Sequence, residues 1–344
     1  MRRGLISRSK AELPDAVLDA RIARLRAAMT DARLDALILY TNNTRTAGVS
    51  WLTGFVPYWS EALLVVTHDR LPVLVAALTY RVKSWIERVS RVADVIHAPR
   101  IGLEAARMIA GVKAGGAVGV ADLDGLSAGI VDDLREGGPR LALHDASTLF
   151  ANLRAKADPA EIALATRAAA IACSALARAS GASSLGESIA AIEKHAREQG
   201  AEEIYIAAAP DLARDHRLKR IEGEVALGES FVLRATVAYK GTWIRLVRTF
   251  GQESFHEEAA ARFAQAVAQL PDERGLAAFS SWLVEGCRIA QPLEPLMGSR
   301  IAERNPLMAG ALVSVQARLE IDRQTILLGA PALIGAPGEA ACLL

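Results

Sequence analysis

Residues 231 to 250 constrain this chain most. Phe231, Leu233, Ala235, Val237 and Tyr239 alternate with Val232, Arg234, Thr236, Ala238 and Lys240, and after Lys240-Gly241 a second apolar run, Trp243 to Phe250, returns. Strand side chains repeat every two residues and a tight Gly-containing turn joins antiparallel neighbours, so this stretch predicts a β-hairpin. A hairpin of this kind is stable only inside a larger sheet or under helices, and the sequence around it supplies both. Asp158-Pro159-Ala160-Glu161 combines an N-cap Asp, Pro at the first helical position and Glu at the third, which predicts a helix running through the Ala-rich stretch to about Ser180. A second helix is expected from Glu187 to Gln199, stopped by Gly200, with further helices over Glu257–Gln269 and Leu276–Ile289. Leu312–Ile321 and Thr325–Ile334 read as closing strands, so residues 152–344 form an α+β pattern.

The first half reads differently. Leu18, Ile22, Leu25 and Met29 recur at helical steps within Val17–Ala32, and Ala36–Tyr40 reads as a buried strand. Leu63–Val66 and Leu71–Val75 flank the polar turn Thr67-His68-Asp69-Arg70, and a strand at Ala117–Val120 precedes a helix from about Ser127 to Leu134. This alternation predicts an α/β domain over residues 1–151. Two domains also suit 344 residues, which exceed what one core usually organises.

Charge and cysteine content exclude several functions. Lys+Arg minus Asp+Glu is 40 − 39 = +1, which argues against nucleic acid or a membrane surface as partner. No 18-residue run escapes charges and the basic start lacks an apolar h-region, so no membrane span or secretory leader is expected. Cys173, Cys287 and Cys342 are odd in number and far apart, which fits a reducing, cytoplasmic compartment better than a disulfide framework. Neither a G-x-S-x-G elbow nor a P-loop is present.

Several segments together resemble the creatinase / aminopeptidase P / prolidase family. Asn43, Val49-Ser-Trp-Leu52-Thr-Gly54-Phe55 and Leu63–Val66 are similar to its amino-terminal domain. Leu153-Arg154-Ala-Lys156-Ala-Asp158-Pro159-Ala-Glu161-Ile162 resembles the entry to its catalytic domain. Gly241 with Arg248-Thr249-Phe250-Gly251, and Pro306 to Val315, resemble the strands that carry its metal ligands. The resemblance implies a creatinase-like α/β amino-terminal domain, an α+β pita-bread domain from residue 152, and a homodimer.

The same resemblance exposes a departure. Active members use two Asp, one His and two Glu to hold two divalent ions that generate hydroxide. Here the Asp positions fall on Arg234 and Arg245, the Glu positions on Gln316 and about Gly329, and the His position near Gly298. No Asp or Glu occurs between Ser230 and Gln252 and no His follows His256, so shifting the alignment restores neither Asp nor the His. An arginine repels a dication at close range and keeps its proton at any working pH. No metal and no other cofactor is expected, and metal-dependent peptidase activity is expected to be absent.

Two function classes follow. The first is a non-catalytic binding protein whose pocket, lined by Arg234, Arg245, Gln316 and Arg318, prefers a small anion or peptide carboxylate, since guanidinium forks bind such groups bidentately. The second is a metal-independent hydrolase or lyase on a small anionic substrate. Its acid/base would be His216, 18 residues before Arg234, at the position that resembles the substrate-side His of creatinase. Creatine itself is excluded as substrate, because Val247 and Gln316 stand where a cation would need carboxylates. An internal carboxylate from Glu303, Glu320 or Asp322 would instead leave the arginines self-satisfied, and His216 would then be a plain loop residue. Trp51, Phe55, Tyr58 and Trp59 form an aromatic group expected in a core or dimer interface.

Overall fold

The computed structural model describes residues 8–43, 45–57, 60–113, 115–221, 223–251, 253–286, 307–335 and 340–343. The chain divides into two compact units between Arg154 and Ala155.

The first unit alternates helices and strands: α1 (Asp15–Asp31), β1 (Ala36–Asn42), α2 (Ala47–Thr53), β2 (Glu61–Thr67), β3 (Val73–Ala76), α3 (Lys83–Val89), β4 (Asp94–His97), α4 (Ile101–Val112), β5 (Ala117–Ala121), α5 (Ala128–Gly137), β6 (Ala142–Asp145) and α6 (Ser147–Leu153). Helix α1 buries Leu18, Ile22, Leu25 and Met29, as their spacing requires. The strands form one sheet in the order β4-β3-β2-β1-β5-β6, with β2 antiparallel to its neighbours and the other pairs parallel. Leu37, Leu39, Leu64, Val66 and Leu74 fill one face, and Ile38, Leu63, Val65, Val118 and Val120 the other. Strands β4 and β6 and helix α3 are too short to be foreseen, whereas α4 buries Ile101, Ala105 and Ile109 at helical spacing, a signal present in the sequence.

The second unit contains α7 (Pro159–Leu176), α8 (Leu185–Glu198), β7 (Glu203–Ala209), β8 (Phe231–Tyr239), β9 (Thr242–Phe250), α9 (His256–Ala268), β10 (Ser281–Gly286), β11 (Leu312–Ile321), β12 (Gln324–Leu333) and β13 (Ala341–Cys342). Helix α7 starts on the expected capping box: Asp158 Oδ1 accepts from the Glu161 backbone N–H at 3.0 Å, and Glu161 Oε2 accepts from the Asp158 N–H at 3.4 Å. Residues Pro159–Ala179 are long and apolar enough to cross a membrane by length and composition, yet half of their most apolar stretch is buried. In this fold it is a core helix, packing Ala168, Ile171, Ala172 and Ala175 against the sheet.

That sheet runs β10-β11-β12-β9-β8-β7, with antiparallel neighbours and β13 paired to β12. The β8–β9 hairpin turns on Lys240 (φ 47°) and Gly241 (φ 76°), the paired positive φ values of a two-residue hairpin loop. Its register pairs Phe231 with Phe250 and Tyr239 with Thr242. Leu233, Ala235, Val237, Ile244, Leu246, Val315, Ala317 and Leu319 point into the core under α7, α8 and α9.

The helix expected over Leu276–Ile289 is corrected. A 3-10 segment, Glu273–Ala278, is followed by strand β10, which pairs with β11 from Ser281↔Arg318 to Gly286↔Val313. The ladder offered by β11 outweighs the weak helical spacing of this stretch.

Candidate functional site

The residues opposite the core face of the second sheet line up in two rows. Pairings Ala207↔Arg234, Arg234↔Val247, Val247↔Gly329, Gly329↔Gln316 and Gln316↔Leu283 define the first. Tyr205↔Thr236 and Thr236↔Arg245 begin the second, and Pro331↔Ser314 and Ser314↔Glu285 end it. Strand alternation therefore places Arg234, Arg245, Gln316 and Gly329 on one face, and all three side chains are buried, to 3%, 3% and 1% exposure.

Buried charge requires a partner. Arg245 Nη1 donates to Glu285 Oε1 at 2.5 Å, and both side chains are almost wholly out of solvent. Gln316 Nε2 donates to the same oxygen at 3.5 Å. Ser314 Oγ and Gln316 Oε1 are buried without a hydrogen-bond partner among the described residues. Thr249 closes the neighbouring strand contact, its Oγ1 donating to the Leu327 carbonyl at 2.8 Å and accepting from the Leu327 N–H at 2.9 Å.

The internal carboxylate is thus Glu285, not one of those expected. Glu320 accepts from Thr325 Oγ1 and lies 3.6 Å from Arg318, Asp322 sits exposed in the β11–β12 turn at φ 48°, and Glu303 and Gly298 lie outside the described residues. Arg318 is corrected as a companion of Gln316: it shares the face but is partly exposed, donating from Nε to Ser280 Oγ at 3.0 Å. Glu285 was missed because Leu276–Ile289 was read as helix. The run Trp282-Leu-Val with Gly286 at its end is the strand signal that marks it.

His216 lies half-buried in the loop between β7 and β8. Leu212 and Leu218, on either side of it, pack with Val232, Val247 and Leu327, so this loop folds over the face that carries Arg234. Its neighbour Asp215 accepts from Arg217 Nε at 2.9 Å and Lys219 Nζ at 2.6 Å. Those bonds, Arg217 first, hold its carboxyl well below the usual carboxylate range.

This donor set does not fit a pair of dications. Two of the expected ligand positions are cationic, one is a neutral amide and one has no side chain, and the carboxylate nearby is engaged by Arg245. Among the described residues no three His, Cys, Asp or Glu side chains gather closely enough to hold a metal. Elsewhere, Trp51 and Phe55 are core residues stacked edge-on against Phe150 and Trp85, while Tyr58 and Trp59 lie outside the described residues. Cys173 is exposed, and burial pushes the Cys342 thiol up to about 11, which removes it as a nucleophile near neutral pH.

Residues 21–156 match the model of the creatinase/prolidase N-terminal domain. Over its whole length the fold is that of the prolidases and X-Pro peptidases. The prolidase of Pyrococcus horikoshii OT3 superimposes with a TM-score of 0.71 at 16% identity, covering 94% of this chain and 97% of that one. The X-Pro aminopeptidase of Thermotoga maritima MSB8 gives 0.71 at 15% identity, covering 94% and 96%. The N-terminal domain of the FACT complex subunit SPT16 from Cicer arietinum gives 0.57 at 14% identity, covering 96% of each chain. No curated protein matches this sequence significantly.

Proposed function

We propose that this chain is a non-catalytic, metal-independent member of its family that acts by binding. The observation that carries the reading is the Arg245–Glu285 pair with Gln316, buried on the pita-bread sheet where the family resemblance calls for carboxylate ligands. A guanidinium in an ion pair neither ligates a metal nor activates water. The ligand class that guanidinium groups on this face favour is a small anion or peptide carboxylate, in a homodimeric cytoplasmic protein. The likeness to the N-terminal domain of a FACT complex subunit supports the reading in one respect: the fold is not confined to peptidases.

The test is metal binding and turnover in the same sample. Manganese or cobalt titrated into purified protein should show no stoichiometric high-affinity site, and Xaa-Pro dipeptides should not be hydrolysed with or without metal. One metal per chain with metal-dependent hydrolysis would overturn the proposal.

A second reading rests on the loop that Leu212 and Leu218 anchor over the arginine face. It makes His216 the acid/base of a metal-independent hydrolysis or elimination of a small anionic substrate, with Arg234 and Arg245 as anchors. In that case a screen of small acids yields turnover that His216→Ala abolishes without weakening binding. Equal turnover in the variant ends it.

A further inference from the structure

The first unit holds a cavity of about 430 Å³ where α1 ends beside the edge strand β6. Leu34, Ala117, Ala146 and Leu149 make an apolar floor, and Arg33, His144 and Asp145 stand at the rim. Apolar walls with a few polar groups are the usual make-up of small-molecule sites. Gly119, paired with His144, lets the floor lie low: a Cβ there would come 2.6 Å from Leu34 Cδ1 and 2.9 Å from Ala146 Cβ.

Arg33 occupies an unusual place for its residue type. Helix α1 ends in a Schellman motif, with the Leu34 N–H donating to the Met29 carbonyl at 2.8 Å and the Arg33 N–H to the Thr30 carbonyl at 3.0 Å. Arg33 takes the left-handed position of that motif, at φ 56°, where glycine is the usual choice because it has no Cβ to crowd the following carbonyl. Glycine would therefore close α1 at lower conformational cost, and the strained turn instead brings a guanidinium to the rim.

Charge at the rim is unevenly matched. Asp145 is committed, its Oδ1 accepting from the Ser147 N–H at 2.9 Å and from the Ser147 hydroxyl. The side chains of Arg33 and His144 are exposed and have no ion pair or hydrogen bond among the described residues.

We infer that this cavity binds a small carboxylic acid with an apolar body. The carboxylate meets the Arg33 fork, which takes it bidentately, and a ring N–H of His144. The apolar body lies on Leu34 and Leu149. The site shares no residue with the Arg245–Glu285 pair and does not depend on the function proposed above.

The experiment is isothermal titration of the full-length protein with 4-methylpentanoate, against acetate, which lacks the apolar body, and 4-methylpentanamide, which lacks the charge. 4-Methylpentanoate is expected to bind at one site per chain, at least about tenfold tighter than either control. Arg33→Gly is the deciding variant because its two effects have opposite signs. Relief of the left-handed arginine should raise the melting temperature, and loss of the fork should weaken binding about tenfold, roughly the scale of one charge-assisted hydrogen bond. Arg234→Ala should leave binding unchanged. Equal affinity for the three compounds, affinity undiminished in Arg33→Gly or lost in Arg234→Ala, or a melting temperature lowered in Arg33→Gly overturns the inference.

Discussion

The central strands of the first unit's sheet are apolar on both faces, while the second unit's sheet is apolar beneath α7, α8 and α9 and mixed on its other face, where Val232, Val247 and Leu327 pack with Leu212 beside polar side chains. Its other face carries buried Arg234, Thr236, Arg245, Thr249, Glu285, Ser314 and Gln316. The first sheet is a platform, stabilised by area removed from water at about 25 cal/mol per Å². The second sheet holds polar groups that stabilise nothing unless each is matched. On this face the matching of Arg245 is internal, by Glu285.

The comparison breaks most visibly at Glu285. Glu285→Leu removes the carboxylate that the buried Arg245 Nη1 donates to and should cost about 3–5 kcal/mol in chemical denaturation, whereas Arg245→Met/Glu285→Leu should cost less than the single substitution. If the single substitution costs less than about 1 kcal/mol, water reaches the pair and the face is not sealed. Thr249→Val keeps the shape but leaves the Leu327 carbonyl and N–H unmatched, and should cost about 1–3 kcal/mol. A loss within error would show that the strand edge repacks.

The smallest effect belongs to the first unit, whose polar pairs lie at its surface. Asp35 is held below its ordinary value chiefly by the Lys113 hydrogen bond, and Asp94 by that from Lys83. A carboxylate with a lowered folded pKa stabilises above the unfolded value near 4 and loses that contribution as pH falls through the folded value. Lys113→Ala should therefore lower the urea midpoint at pH 7 and converge with the parent near pH 2. An equal deficit at both pH values would mean the lysine acts through packing.

Much of this was legible in the sequence because local signals agreed with tertiary ones. The Asp158–Glu161 box and the Lys240–Gly241 turn are short-range devices that work alike in a peptide and in a fold. Alternation likewise turned Arg234, Arg245 and Gln316 to one face. Register across the sheet was not legible: Glu285 meets Arg245 only because β10, β11, β12 and β9 stack in that order, which no spacing within Ser281–Gly286 encodes. Strand β7 was missed for the opposite reason, since Ile204-Tyr-Ile-Ala-Ala-Ala209 is stabilised as a strand by pairing with β8 and its alanines favour helix.

Gly329 fixes what this site can hold. A Cβ added there would lie 2.8 Å from Val247 Cγ2, 2.9 Å from Gln316 Cγ and 3.0 Å from the Val315 carbonyl oxygen. The neighbours have closed over the space that a glutamate side chain would need, and Val247 has a stiff, branched side chain that cannot swing aside. An acidic residue at 329 cannot be accommodated in this packing by one substitution. It would need concerted changes at 247 and 316 as well, so the packing around 329 works as a steric lock on that position.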